Sequence, residues 1–337
     1  MIDEARQPVT FTPPGDPIDM SELRGKTIAI VVVTMQTPTL AAVAGAAQEA
    51  AEVAGLETTL FDAKADVPRM IQGVEDAIRR ADAMLLIGIP IAVVQDQLEQ
   101  AKDAGIPAVS VLNNQPAANE PGQGAGPLVY ASSAPDFRKA GQLVASQAIV
   151  DTDGEANVEI FTANEIQPSA DTIVGGMMSM LERCEGCEVS QNSTPLDQWF
   201  TRLAPKAESI IRRNPELNYM LPIFDIASVL ITPAIERSGV ADRVKTASIN
   251  GTPAALQLIQ SGDVVSADVG ASSNLVGWHS VDQAARGLLG HEPGEPTIPS
   301  RLLDDSTLEG EEVDDFDAPY GDDLGYREGF QELWGVR

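Results

Sequence analysis

From Thr27 onward the chain alternates short β-branched runs with longer helical patterns, and this alternation restricts the fold more than any other feature. "TIAIVVV" (27–33) is a continuous apolar run, as a strand buried on both faces requires. An Ala-rich helical stretch (38–55) follows and ends in Gly. Strand "LETTLFDA", helix "VPRMIQGVEDAIRRA", strand "AMLLIGI", helix "AVVQDQLEQAKDAG" and strand "AVSVL" complete a βαβαβαβ run. Parallel strands need helical crossovers, so this order predicts an open parallel sheet with helices on both faces.

After a Gly/Pro/Asn-rich loop (113–126) and strand "PLVYASS", the alternation restarts. Strands are expected at "VEIFTA", "EVSQNS", "NYMLPIFD", "KTASIN", "VVSADVG" and "TIPSRLL", with helices between them. A long helix, "NLVGWHSVDQAARGLLG", precedes the last strand. The chain's 337 residues exceed one ordinary core and suit two domains. The predicted fold class is therefore α/β: two open, parallel, Rossmann-like sheets in succession.

Charge excludes some partners. Fifty acidic residues against 22 basic give a net charge of −28. Binding to nucleic acid or to an anionic membrane needs clustered Lys and Arg, which argues against both. No apolar run reaches the 18 residues of a membrane span. Aromatic content is only 4%, so small aliphatic side chains must fill the cores.

Chemistry-bearing motifs are scarce. The sequence holds no phosphate-binding G-x-x-x-x-G-K-[ST] loop, no H-E-x-x-H and no G-x-S-x-G elbow. Cys184 and Cys187, in "RCEGCEV", follow a predicted helix rather than start one, which disfavours a redox-active pair. Zinc would need two further ligands, and His279 and His291 are unsuitably spaced. A small structural disulfide or a free pair remains. The expected cofactor and metal complement is none.

In open α/β sheets ligands bind beyond the carboxyl ends of the strands. Those exits carry neutral polar groups and carboxylates: Thr37, Asn113, Asn114, Asp171, Asp225, Asn250 and Asp268. Asn supplies a donor and an acceptor, and a carboxylate supplies strong acceptors, so such a rim suits a polyhydroxylated compound. A polar residue followed by Pro recurs there, at Thr37-Pro38, Gln167-Pro168, Thr194-Pro195 and Thr252-Pro253, and ordinary helix capping accounts for any one of them. A hydrolase or isomerase using Asp171 and Asp225 is the alternative from another class.

The stretches "KTIAIVVVTMQTPTL", "AGIPAVSVLNNQ", "NPELNYMLPIFDIASVLITPAIERSG" and "INGTPAALQLIQSGDVVSADVG" resemble the type I periplasmic solute-binding proteins of ABC transporters, in the ribose- and galactose-binding branch. The resemblance covers residues 26–303. It implies two lobes joined by three crossing strands, a small ligand gripped between them, and no catalysis. Residues 1–25 would be a linker, 26–131 with 272–300 the first lobe, and 132–271 with 301–337 the second. The crossings would lie near 131–133, 271–272 and 300–303.

By position, Thr37, Thr39, Asn113, Asn114, Asp171, Gln198, Trp199, Phe224, Asp225 and Asn250 would correspond to ligand contacts of ribose binders. Asp268 and Trp278 are added from their place beside the second crossing. Positions where an Arg is usual are lost, which favours a neutral sugar or polyol over an anion. The implied partner is an ABC transporter permease, or a sensor or chemotaxis protein instead. The implied state is a monomer, periplasmic or extracellular, free or lipid-anchored at the cell surface once a leader is removed. Lac-repressor-type regulators share the fold, but the short stretch ahead of the first strand and the net charge of −28 make a DNA-binding headpiece and a basic face unexpected.

The tail reads separately. From Asp304 to Asp323 ten of twenty residues are acidic and none is basic. Tyr326, Phe330 and Trp334 then recur every four residues, one face of a short helix expected to dock on the second lobe.

Overall fold

The computed structural model describes residues 1–113, 128–164, 169–262, 264–295, 298–320 and 324–336. The chain divides into two compact units. The first lobe comprises Thr10–Asp136, Ser272–Pro299 and Asp323–Arg337. The second comprises Met1–Val9, Phe137–Ala271 and Ser300–Asp322.

The first lobe holds β1 (Thr27–Val32), β2 (Glu57–Asp62), β3 (Ala83–Ile87), β4 (Ala108–Val111) and β5 (Ala131–Ser133). They form one parallel sheet in the order β2-β1-β3-β4-β5. The reversal of direction beside β1 is the topological switch at which such sheets bind ligands. Central β3 is buried throughout, whereas edge strand β2 exposes Glu57, Thr59 and Leu60. Alanines 44, 46, 47, 50 and 51 bury one side of helix Pro38–Val53 and let helix Ser273–Leu288 pack closely on it. That close approach is how a chain poor in aromatics excludes water from this layer.

In the second lobe β6 (Asn157–Thr162), β7 (Glu188–Ser193), β8 (Tyr219–Pro222), β9 (Lys245–Asn250), β10 (Val265–Gly270) and β11 (Arg301–Asp304) lie in the order β11-β10-β9-β8-β6-β7. All neighbours are parallel except β10 and β11. Helices Phe137–Asp151 and Ser169–Leu181 cross on one face at Gly141 and Gly176. A Cβ on either glycine would stand 2.2 Å from a carbonyl oxygen of the other helix.

The tail differs from the expectation. Helix Tyr326–Leu333 docks on the first lobe, not the second. The reason is aromatic packing against helix Ser273–Leu288. The Trp278 ring stacks on Trp334 at 5.4 Å and on Phe330 at 6.1 Å, and Phe11 closes on Phe330 at 4.9 Å. Trp278 therefore belongs to a core cluster rather than to a ligand rim.

The amino-terminal segment is no free linker either. Ile18, Met20 and Leu23 are buried, and the Ile18 and Met20 amides donate to the Leu333 and Trp334 carbonyls. Beneath this double strap Arg286 pairs with Asp282 at 2.7 Å, and the Trp334 indole donates to the same carboxylate.

Candidate functional site

In the second lobe the carboxyl ends of β8, β9 and β10 bring three predicted residues together: Asp225, Asn250 and Asp268. Asp225 opens helix Asp225–Arg237 directly after β8 and is 1% exposed. One carboxylate oxygen accepts from the Thr252 amide at 2.8 Å and from the Thr252 hydroxyl. Its other oxygen faces the Asn250 side-chain amide at 3.4 Å. Asp268, on β10, accepts from the Ser248 hydroxyl at 2.8 Å and from the Gly251 amide at 2.7 Å. Burial pushes both carboxyls above their ordinary range, and the Asp225 charge raises Asp268 further. Asp268 is wholly buried, so it holds the β9 exit from beneath instead of meeting a solute.

Asn250 is different. It is half-buried, ends β9 and has φ of 133°. A non-glycine residue in that region is strained by about 1–3 kcal/mol, which the surroundings must offset. Thr252 does occupy the N-cap position with Pro253 after it, and Gly262 closes the helix in the left-handed conformation. Yet its hydroxyl is spent on Asp225, and it makes no side-chain cap. Thr37 makes none either. The polar-Pro repeat therefore marks strand exits, but these two threonines do not cap their own helices. Gln167-Pro168 lies outside the described residues.

Other second-lobe candidates scatter around this cluster. Phe224 precedes Asp225, is half-buried and meets Phe137 edge-on at 6.4 Å. Asp171 is exposed in the first turn of helix Ser169–Leu181, after β6. Gln198 is exposed at the end of the short 3-10 helix Leu196–Gln198 that follows edge strand β7, where it lines a shallow groove with Thr194, Arg202 and Lys206. Trp199 points inward: its indole donates to the Thr194 carbonyl at 2.8 Å and its ring is 4% exposed. The aromatic that does face solvent is its neighbour Phe200, 73% exposed. One helical step of about 100° separates the two, and only the phase of helix Trp199–Arg213 could have told them apart.

In the first lobe Thr37 is half-buried ahead of helix Pro38–Val53. Thr39 is buried, and its hydroxyl meets no partner among the described residues. The Asn113 side chain donates to the Ile89 carbonyl at 2.7 Å and so ties the β4 exit to the β3 exit. Asn114 lies outside the described residues.

Lys64, Ala65 and Leu112, at the exits of β2 and β4, all have φ between 54° and 60°. With Asn250, four of the five non-glycine residues of positive φ among the described residues sit at or just beyond strand ends. Such strain concentrates at functional sites. Sequence reading missed Lys64 and Ala65, for "DAKAD" contains no glycine to announce the turn. Asp62 supports it by accepting from the Lys64 and Met35 amides.

His279 has a structural place. It is 1% exposed, and its ring nitrogens lie 2.9 Å from the Ser133 hydroxyl and 3.2 Å from the Glu295 carbonyl. Cys184 and Cys187 form a disulfide at the turn into β7.

Residues 28–292 match the periplasmic binding protein domain. The chain belongs to the periplasmic binding protein family. Solved structures agree with that family's fold. A solute-binding protein from Agrobacterium vitis with bound allitol has a TM-score of 0.77 at 20% identity, covering 86% of this chain and 98% of its own. One from Bacillus halodurans with bound myo-inositol gives 0.75 at 21% identity, over 85% and 97%. An ABC sugar transporter subunit from Rhodobacter sphaeroides gives 0.76 at 18% identity, over 84% and 99%. At such identities these likenesses establish the type I periplasmic-binding-protein fold. No curated protein matches the sequence.

Proposed function

We propose that this chain is an extracytoplasmic solute receptor that binds a small polyhydroxylated compound, a neutral sugar or polyol, and delivers it to an ABC transporter permease. One observation carries the reading. Asn250, strained and half-buried at the exit of β9, presents a donor and an acceptor beside the Asp225 carboxylate. Such a pair can accept from one sugar hydroxyl and donate to the next. Phe224, next to Asp225, offers aromatic surface for the apolar face of a sugar ring, and Asp171 adds an exposed carboxylate after β6 in the same lobe. The solutes named for the neighbours, allitol and myo-inositol, are of this chemical class.

The receptor binds without chemistry, acts as a monomer, and resides in the periplasm or at the cell surface. Both Asp225 oxygens face donors of its own lobe, an arrangement suited to a fixed acceptor rather than to a nucleophile.

A thermal-shift screen against sugars, polyols and amine-bearing analogues tests this reading. A bound solute at 100 times its Kd should stabilise the protein by about 2.7 kcal/mol. Silence across the screen would remove the sugar assignment, and turnover of a bound compound would replace the receptor with an enzyme. Asn250→Ala should abolish the shift while the protein still folds.

A further inference from the structure

The acidic carboxy-terminal segment carries a residue that reaches the Asn250 turn. Tyr320 ends a short 3-10 helix, Ala318–Tyr320, and is 1% exposed. Its hydroxyl lies 3.5 Å from both the Asn250 and the Gly251 carbonyl oxygens. The space it fills exists because two residues lack a Cβ. A Cβ on Gly251 would stand 2.0 Å from that hydroxyl, and one on Gly270 would stand 2.2 Å from it. Gly270 is the register partner of Asn250 across β9 and β10, so the hydroxyl is wedged over the ends of both strands.

The wedge is itself anchored. Arg301 donates to the Pro319 carbonyl at 2.7 Å and to the Arg6 carbonyl at 2.9 Å, and the Val9 amide donates to the Tyr320 carbonyl at 2.9 Å. Burial, with the Asp268 and Asp225 charges, keeps the phenol protonated and able to donate.

We propose that Tyr320 is a positioning residue for the solute site: its wedged hydroxyl holds the Asn250–Gly251 backbone in the strained conformation that aims the Asn250 side chain. This rests on the reading of Asn250 as a solute contact. It also gives the acidic segment a role within the second lobe. Tyr320 touches no solute and acts through the backbone it props.

Hydrogen exchange on the full chain without solute provides the first test. In Tyr320→Phe the Gly251 and Thr252 amides should exchange at least tenfold faster, with Ile30 of the first lobe unchanged. Unaltered protection at both amides overturns the proposal. Should that variant fail to fold by circular dichroism, Tyr320→Leu, which also lacks the hydroxyl and leaves both glycines in place, serves instead, and the same two amides must lose protection or the wedge is wrong.

Calorimetric titration with allitol, myo-inositol, D-allose and D-fucose is the second test. Whichever of these binds the wild type should bind Tyr320→Phe at least fivefold more weakly, and equal affinity overturns the positioning role. If none binds the wild type, the solute assignment fails, while the exchange result still decides whether Tyr320 holds the turn.

Discussion

The carboxylate of Asp225 accepts both the amide and the hydroxyl of Thr252, a residue 27 positions later, and so ties the exit of β8 to the exit of β9. Two strand ends that are not covalent neighbours are thereby fixed at one point. Removing a partner of a hydrogen bond to a charged group costs about 1.5–3 kcal/mol. Thr252→Val keeps the shape and the amide bond but removes the hydroxyl. It should lower stability by that amount in urea unfolding, with an unchanged slope. Thr252→Ser restores the hydroxyl and should recover most of the loss. A Val variant as stable as the wild type would show that the hydroxyl bond contributes nothing, and a loss confined to Ser would assign the effect to the methyl group.

Burial raises Asp225 and Asp268 above the ordinary carboxyl range, which fixes the sign of a pH effect. The unfolded aspartates ionise near pH ~3.9, whereas the folded ones hold their protons to higher pH. Over that interval the native state binds more protons than the unfolded state, so stability falls as pH rises. It is fully present below about pH 4 and lost through the raised folded values. Asp268→Asn can still accept the Gly251 amide and cannot ionise. Its melting temperature should therefore fall less steeply from pH 4 to pH 8 than the wild type's, and parallel curves would show that Asp268 is not raised.

His279 gives the opposite sign in the first lobe. Burial lowers its ionisation, so the folded ring stays neutral while the unfolded one takes a proton below pH ~6.5. Stability from this group is present above that pH and is lost as pH falls toward the depressed folded value. His279→Gln should blunt acid destabilisation near pH 5–6, and a variant as acid-sensitive as the wild type would count against a neutral buried ring.

The two sheets were legible because buried parallel strands announce themselves as runs such as "TIAIVVV" and "AMLLIGI". The exit of β9 was legible too, since Asn250 ends that strand and Thr252-Pro253 open the next helix. Three things were not. Trp199 and Phe200 differ only by helical phase, and nothing local says which one turns inward. The tail's apolar face was evident, but its partner Trp278 lies 56 residues from Trp334 and could be known only from the packing of helix Ser273–Leu288. Tyr320 sits in an acidic run that reads as solvated surface, and its fit between Gly251 and Gly270 is a matter of three segments meeting.

The docked tail makes a further prediction. Trp334 is buried against Trp278 and donates to Asp282, which already pairs with Arg286. Trp334→Ala should cost about 3–5 kcal/mol, the range for truncating a large core aromatic. Trp334→Phe retains much of the packing and loses the donor, for about 0.5–3 kcal/mol. If both variants unfold at the wild-type urea concentration, the tail helix does not stabilise the first lobe.

Asn250 sets stability against binding. Glycine adopts its φ of 133° without the penalty of a Cβ, but glycine also adds up to about 1 kcal/mol of unfolded-state freedom. Relief of about 1–3 kcal/mol of strain should outweigh or match that cost. Asn250→Gly also gives up the side-chain bond to Asp225, worth about 0.5–1.5 kcal/mol, so it is expected to lie within about 2 kcal/mol of the wild type and above Asn250→Ala, which loses the same bond and keeps the strain. Asn250→Ala keeps the Cβ, cannot form the side-chain bond to Asp225, and should be the least stable of the three. Both variants lack the amide proposed to meet the solute, so both should lose the thermal shift produced by a bound sugar or polyol. Melting curves of the three proteins with and without that solute separate the two effects. A glycine variant less stable than the alanine variant would refute the strain, and one that still binds would move the solute contact away from Asn250.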